Sequence, residues 1–258
     1  PDGNFPNHHP DPSKEKNLEQ LKSAVQENGA DIGFAFDGDG DRVGMITNSG
    51  DSVLADHLIM ILSEHYLKKK KGAIIFDVKC SSQLPILIEN FGGTAIMEKT
   101  GHFNIKKAIK KYNAILGGEM SGHIFINHDW YGFDDAIYTA VMLAKVISDT
   151  GKPVSSVIEQ FPKTFTTPEL NLDVDDVSKF KMVEKFKEQM KFPDAEFNTI
   201  DGVRVSIGSS WGLMRASNTS PKLVFRFEAE SKKDLEKIRS LFALNLKNIF
   251  PDLKLDFN

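Results

Sequence analysis

Cysteine is almost absent from this sequence. Cys80 stands alone, so no disulfide can form within the chain, and such usage fits a reducing compartment, the cytoplasm. No apolar run approaches the ~18 residues of a membrane span, and no signal peptide is recognisable, so no membrane partner is expected. An excess of basic charge is missing too: 32 Lys and Arg face 36 Asp and Glu, a net charge of −4, which argues against nucleic acid as a partner. There is no internal repeat and no long low-complexity tract. A methionine start is also lacking. The chain opens at Pro1 inside PDGNFPNHHPDP, which is expected of a piece cut from a longer protein, with a processed natural N-terminus as the other reading.

What remains is 258 residues, 40% hydrophobic and 26% charged, ordinary for a globular protein and enough for one large or two small domains. Helical and extended patterns alternate. Ser13 is placed to cap a helix over residues 13–28, with Leu18, Leu21 and Val25 on one face, stopped by Asn28 and Gly29. Residues 31–36 read as a short buried strand, 43–47 as a second, and 48–51 as a turn. A new unit begins near residue 52. It has helices over residues 54–67, 82–91, 104–112 and 134–148, and strands at 73–78, 95–97, 114–116 and 123–126. Pro162 and Pro168 bracket a hinge. Beyond it come strands at 169–174, 203–207 and 223–228 and helices over 177–190 and 232–247. The expectation is α/β architecture, mixed-sheet domains of strands and helices, followed by a separate α+β C-terminal domain.

The chemistry concentrates in FAFDGDGDRVGMI. Alternate residues of an extended loop point the same way, so Asp37, Asp39 and Asp41 can converge on one point, and the two glycines let the backbone bend. Three carboxylates so close repel one another and call for a cation. Hard oxygen donors suit Mg2+. The plain alternative is a solvated acidic turn, against which stand the flanking strands and Arg42. A calcium EF-hand loop needs glycine at its sixth position and glutamate at its twelfth, but counting from Asp37 those positions hold Arg42 and Asn48. An aspartyl-phosphatase with Asp37 as nucleophile stays open. Arg42 is placed to hold phosphate in its planar fork.

Four further stretches offer donors. In GGEMSGHIF, Glu119 and Ser121 alternate on one side of a loop and suit neighbouring sugar hydroxyls, and His123 extends the alternation and titrates near neutrality. In KTGH, residues 99–102, a strand meets a helix start with Lys99 and His102 near exposed amides, which suits an anion. DVKC puts Lys79 at a strand end, where open α/β sheets bind ligands. RASNTSP, residues 215–221, offers Arg215, Ser217, Asn218 and Thr219 with no negative charge and fits a phosphate cradle. A capped turn, a helix cap or a polar hairpin loop would account for each of them singly. His8, His9, His57, His65 and His128 have no partner at metal-ligand spacing, and the methionines read as core filler. Together the residues suit a phosphorylated polyol or sugar and phosphoryl transfer.

DGNFPNHHPDP, FDGDGDR, KTGH, GEMSGH and RASNTSP occur here in the order in which the α-D-phosphohexomutases carry them, and the resemblance runs along essentially the whole chain. It is nearest to the bacterial phosphomannomutase/phosphoglucomutase branch. Phosphoglucosamine mutases usually carry glutamine where Met120 stands and glycine in place of the asparagine in the last loop. The resemblance implies four domains, of which residues 1–50 match the C-terminal half of the second, 51–161 the third and 162–258 the fourth. It implies interconversion of hexose 1-phosphate and hexose 6-phosphate through a phosphoserine and hexose 1,6-bisphosphate. Asp37, Asp39 and Asp41 would hold Mg2+, with Arg42 beside it. Glu119 and Ser121 would bind sugar hydroxyls. Lys79, His102 and His123 would orient substrate or assist proton transfer, and Arg215, Ser217, Asn218 and Thr219 would clamp the non-reacting phosphate. One departure matters: the phosphoserine motif, a Thr-Ala-Ser-His-Asn-Pro-like loop, has no counterpart, and neither Ser13 nor Ser217 stands in that context. The chain by itself is therefore expected to lack mutase activity. The alternatives are a truncated module that binds sugar phosphate and Mg2+ without turnover, and the phosphatase using Asp37.

Overall fold

A computed structural model describes residues 2–253, which fall into two compact units divided between Pro162 and Lys163. In the first unit, Ile32–Phe36 (β1), Val43–Thr47 (β2) and Ser52–Val53 (β3) form an antiparallel sheet in that order. The middle strand is buried along its whole length. The outer strand β1 is less buried than its apolar run suggests: Asp31 is exposed and Phe36 is 39% exposed, because one edge of β1 has no neighbour in the sheet among the described residues. The helix α1 runs Glu19–Asn28 and packs Val25 with Leu18 and Ile46. It starts later than residue 13, after a 3-10 turn at Glu15–Asn17. Ser13 does not cap it, since its hydroxyl donates to Asp11 Oδ1 at 2.7 Å.

A second sheet holds Ala73–Asp77 (β4), Thr94–Glu98 (β5), Leu116–Gly118 (β6) and Ile124–Ile126 (β7), in the order β5-β4-β6-β7. The first three are parallel and β7 runs against β6, which makes the sheet mixed. The central strand AIIFD is almost entirely buried, as parallel strands covered on both faces must be. The helices α2 (Ala55–Lys69), α3 (Gln83–Asn90), α5 (Ala136–Thr150) and α6 (Val154–Ile158) pack with it in the main core, while α4 (His102–Tyr112) covers Ile75 and Phe125 from a second cluster. Helix α4 begins two residues earlier than residue 104. The glycine pair of β6 explains how helices close in from both sides. A Cβ on Gly117 would lie 2.8 Å from Ile109, and one on Gly118 would lie 2.5 Å from Ile59. The strand ends that point toward the loops at residues 77–80, 99–102 and 119–123 are the carboxyl ends of the parallel strands, the favoured ligand edge of such sheets.

The second unit is one antiparallel sheet. Its strands are Phe165–Thr166 (β8), Leu170–Asp173 (β9), Glu196–Asn198 (β10), Val203–Ile207 (β11), Ser210–Ala216 (β12) and Lys222–Ala229 (β13), in the order β10-β11-β12-β13-β8, with β9 also paired to β13. Helices Ser178–Gln189 (α7) and Lys232–Ile249 (α8) share a core with the sheet, built around Phe186, Phe225, Phe227 and Phe242. Strand β12 is fully buried, yet nothing in SSWGLM reads as a strand, because a glycine interrupts it. The interruption is required: a Cβ on Gly212 would stand 2.5 Å from Phe242 and 2.8 Å from Phe227. Strand β8 falls inside the stretch expected as a hinge.

Candidate functional site

The aspartate loop joins β1 to β2 as a tight hairpin end, closed by the amide of Asp37 donating to the carbonyl of Arg42 at 3.3 Å. Asp37 organises it. Its Oδ1 accepts from the backbone N–H groups of Gly40, Asp41 and Arg42, each at 3.1 Å. Its Oδ2 accepts from Arg42 Nε at 2.6 Å, and Arg42 Nη1 reaches on to Asp11 Oδ1 at 3.1 Å. Carboxylate oxygens of Asp37, Asp39 and Asp41 lie within 4.8 Å of one another, a spread that one small cation can gather. Burial alone would raise the pKa of Asp37, but the Arg42 hydrogen bond, further hydrogen bonds and the arginine charge outweigh it and hold it at about 2. Asp41 goes the other way. Burial, its interaction with Asp37 and the charges of Asp37 and Asp39 hold it up at about 6, with His123 pulling against them. A cation would relieve that repulsion.

The turn after β6 comes up beside this loop. Arg42 and His123 form an isolated antiparallel bridge, and Val43 N–H donates to the Gly122 carbonyl at 3.1 Å. Gly122 has φ +99°, and a Cβ there would stand 2.7 Å from the carbonyl oxygen of Val43, so only glycine allows this crossing. His123 is the shared member. Its Nε2 lies 3.4 Å from Asp41 Oδ2, and its Nδ1 lies 2.7 Å from Ser121 Oγ and 3.4 Å from Glu119 Oε2. Burial pushes its imidazole toward the neutral form, but Glu119 first, then Asp41 and Asp134, reverse this and raise its pKa above the ordinary 6.5. Glu119 is buried, and its Oε1 accepts from the N–H of Gly101 at 2.5 Å. One of the amides at the start of α4 is thus already taken by a carboxylate.

His102 stacks near His123, with ring centroids 6.2 Å apart, and its Nδ1 lies 3.5 Å from Asp134 Oδ2. Its side chain is 59% exposed, which leaves it open to a ligand. Lys79 is buried with Nζ 3.9 Å from Asp77 Oδ2. The first unit therefore brings Asp37, Asp39, Asp41, Arg42, Glu119, Ser121, His102 and His123 into one neighbourhood, with Lys79 joined to it through Asp77 and the Met120 amide. Asp134 was not singled out in the sequence, although it also lies near Asp41 and His123 and pairs with Lys106 at 2.9 Å. In sequence it is one of two aspartates before a helix. The cap proves to be its neighbour Asp135, which accepts from the Tyr138 amide.

The remaining candidates lie in the second unit. Arg215 is the next-to-last residue of β12 and is buried. Its Nε donates to Asp201 Oδ2 at 2.9 Å, while its Nη2 is buried with no hydrogen-bond acceptor among the described residues. An unsatisfied buried guanidinium N–H is costly and suits an incoming anion. Ser217 Oγ accepts from the amides of Thr219 and Ser220 at 3.3 and 3.2 Å and from the Ser220 hydroxyl at 2.8 Å, folding the loop tightly. Asn218 and Thr219 are exposed at its tip.

The chain matches three family models described as phosphoglucomutase/phosphomannomutase: alpha/beta/alpha domain II over residues 1–50, alpha/beta/alpha domain III over residues 55–165, and the C-terminal domain over residues 169–244. It is 52% identical over 257 residues to a phosphomannomutase/phosphoglucomutase of Pseudomonas syringae, covering 99% of this chain and 55% of that protein. A phosphoglucomutase of Neisseria gonorrhoeae is 46% identical over 93% of this chain and 53% of its own length. A crystal structure of a phosphoglucomutase/phosphomannomutase family protein from Burkholderia thailandensis superposes with a TM-score of 0.93 at 41% identity, over 99% of this chain and 55% of that one. The chain spans about half the length of the curated relatives it matches. With its motifs, its fold and its matches in agreement, the chain belongs to the phosphoglucomutase/phosphomannomutase family, the α-D-phosphohexomutases.

Proposed function

We propose that this chain is the metal- and sugar-holding part of a phosphohexomutase that interconverts the 1-phosphate and 6-phosphate of mannose or glucose through a phosphoserine and a bisphosphorylated hexose. In this reading residues 1–50 are the rear half of one domain, 51–161 a second and 162–258 a third. The observation that carries it is the position of His123, which lies 3.4 Å from both Asp41 and Glu119. A cation loop and a hydroxyl-binding turn thereby share one histidine.

Mg2+ fits the donor set, since three carboxylates within 4.8 Å offer the hard oxygens it prefers. Bound there, it would neutralise phosphoryl oxygens as the group transfers. The chain's own residues do the rest. Glu119 and Ser121 take neighbouring sugar hydroxyls. His123 holds a proton on the sugar side of the loop. His102 and Lys79 complete the anion's surroundings, and Arg42 keeps the loop closed through Asp37. In the second unit, the free N–H of Arg215 and the tip of the Ser217–Asn218–Thr219 loop grip the distal phosphate. Hexose phosphates and hexose 1,6-bisphosphate are the partners, and the cytoplasm suits a chain whose single cysteine, Cys80, is buried and in no disulfide. No helix among the described residues is long and apolar enough to cross a membrane.

The phosphatase reading loses ground on geometry. Asp37 Oδ1 accepts three backbone N–H groups and Oδ2 accepts Arg42 Nε, which pins the carboxylate to its own loop as a fixed ligand and leaves it no freedom to approach a phosphorus atom in line. The test is a coupled assay with mannose 1-phosphate, Mg2+ and a trace of glucose 1,6-bisphosphate, run beside the full-length Pseudomonas syringae relative, with calorimetry of bisphosphate binding to this chain. The expected result is an active relative and a chain that binds without turnover. Turnover by the chain alone would overturn the need for a phosphoserine, and absence of binding would remove the reading.

A further inference from the structure

Asp77, the last residue of β4, stands behind the site and is fully buried. Its Oδ1 accepts from the N–H of Met120 and from Cys80 Sγ, both at 3.2 Å. Its Oδ2 accepts from Thr100 Oγ1 at 3.1 Å, with Lys79 Nζ at 3.9 Å. Every one of these partners is a donor, so the arrangement is built for a carboxylate. The partners come from three loops: the turn carrying Lys79, the start of α4 carrying His102, and the turn carrying Glu119, Ser121 and His123. The Gly101 amide donating to Glu119 Oε1 closes a ring that runs from Asp77 through Thr100, Gly101, Glu119 and Met120 back to Asp77. A ring of charge-assisted hydrogen bonds in a dry interior has one low-energy arrangement, because each broken member leaves a buried polar group unpaired.

We infer that Asp77 is a positioning residue: by holding three separate loops through one buried carboxylate, it fixes the Glu119–Ser121 pair against Lys79 and His102 in the spacing that one hexose requires. It acts through the loops and does not touch the sugar. The ligand named here rests on the phosphohexomutase reading, whereas the coupling of the loops does not.

The test uses this chain with Thr100→Val, Thr100→Ser and Asp77→Asn. Amide hydrogen exchange at Met120 reports the coupling, and calorimetry with glucose 1,6-bisphosphate and with Mg2+ reports its use. Thr100→Val removes one donor at nearly constant shape. It should speed Met120 exchange about fivefold and weaken bisphosphate binding by about the same factor, as the loss of one hydrogen bond implies. Mg2+ affinity should stay as in the unmodified chain, and Thr100→Ser should restore both readouts. Asp77→Asn should exceed Thr100→Val in both, and if it does not fold, the Thr100 pair still decides. Unchanged Met120 exchange in Thr100→Val would overturn the inference, as would weaker binding that Thr100→Ser fails to rescue. If the unmodified chain bound no bisphosphate, the functional reading would fail, and Met120 exchange would decide the coupling by itself.

Discussion

Asp41 Oδ2 stands 3.4 Å from His123 Nε2, although the two sit on loops that connect strands of different sheets of the first unit. The crossing that brings them together runs through Gly122, packed on the carbonyl of Val43. Gly122→Ala should therefore separate the aspartate loop from the turn that carries Glu119 and Ser121. Strain at a positive φ is worth about 1–3 kcal/mol, so a lower thermal midpoint is expected, together with weaker glucose 1,6-bisphosphate binding. Calorimetry and thermal unfolding check both. A variant that matched the original chain in both would show that the crossing does not depend on glycine.

Asp39 separates cation binding from folding better than its neighbours do. It is exposed and has no part in the hydrogen bonds that Asp37 makes. Asp39→Asn removes one of three anionic ligands and should weaken Mg2+ binding about tenfold or more, while stability changes by less than about 0.5 kcal/mol. Mg2+ titration by calorimetry gives the first and urea unfolding the second. Unaltered Mg2+ affinity would take Asp39 out of the ligand set.

The aspartate loop was legible because its neighbours in space are its neighbours in sequence. Two apolar runs flank Asp37 to Arg42, and β1 and β2 form where those runs lie. The buried run of β4 and the amphipathic pattern of α8 were legible for the same reason. What stayed hidden depends on contacts distant in sequence. Gly212 reads as a strand breaker until Phe227 and Phe242 are seen pressing on it. Ser13 reads as a cap until Asp11 takes its hydroxyl. Asp201 and Asp77 look like ordinary loop and strand-end acids, and nothing local says that one orients Arg215 and the other ties three loops together.

His65 should make the first unit sensitive to acid. Its Nε2 is buried with no hydrogen-bond partner among the described residues, and burial together with the charges of Lys69 and Lys145 lowers its pKa below 6.5, against the opposing pull of Asp149 and Asp129. The fold thus holds the neutral ring. Above pH 6.5 both folded and unfolded chains carry it neutral and its contribution is complete. Below that, the unfolded chain takes up a proton that the folded chain resists, and stability falls. His123, whose pKa is raised, works in the opposite direction, so the measurement is a difference. The drop in thermal midpoint between about pH 7.5 and about pH 5.5 should be smaller in His65→Gln than in the original chain. Equal drops in the two would show that His65 titrates alike in both states.

Arg215 allows the sharpest test of the second unit, because charge and geometry can be varied separately there. Its Nε is committed to Asp201 and its Nη2 has no acceptor among the described residues. A distal phosphate would complete the fork in two parallel bonds, and lysine cannot reproduce that geometry. Arg215→Ala should weaken binding of mannose 1-phosphate and mannose 6-phosphate alike, about tenfold or more, since each isomer carries one phosphate that this guanidinium could take. Arg215→Lys should recover only part of this loss, because it restores the charge without the fork. Calorimetry with each isomer in turn gives the comparison. A loss confined to one isomer would place Arg215 at the reacting phosphate, and full recovery with lysine would reduce its role to charge alone.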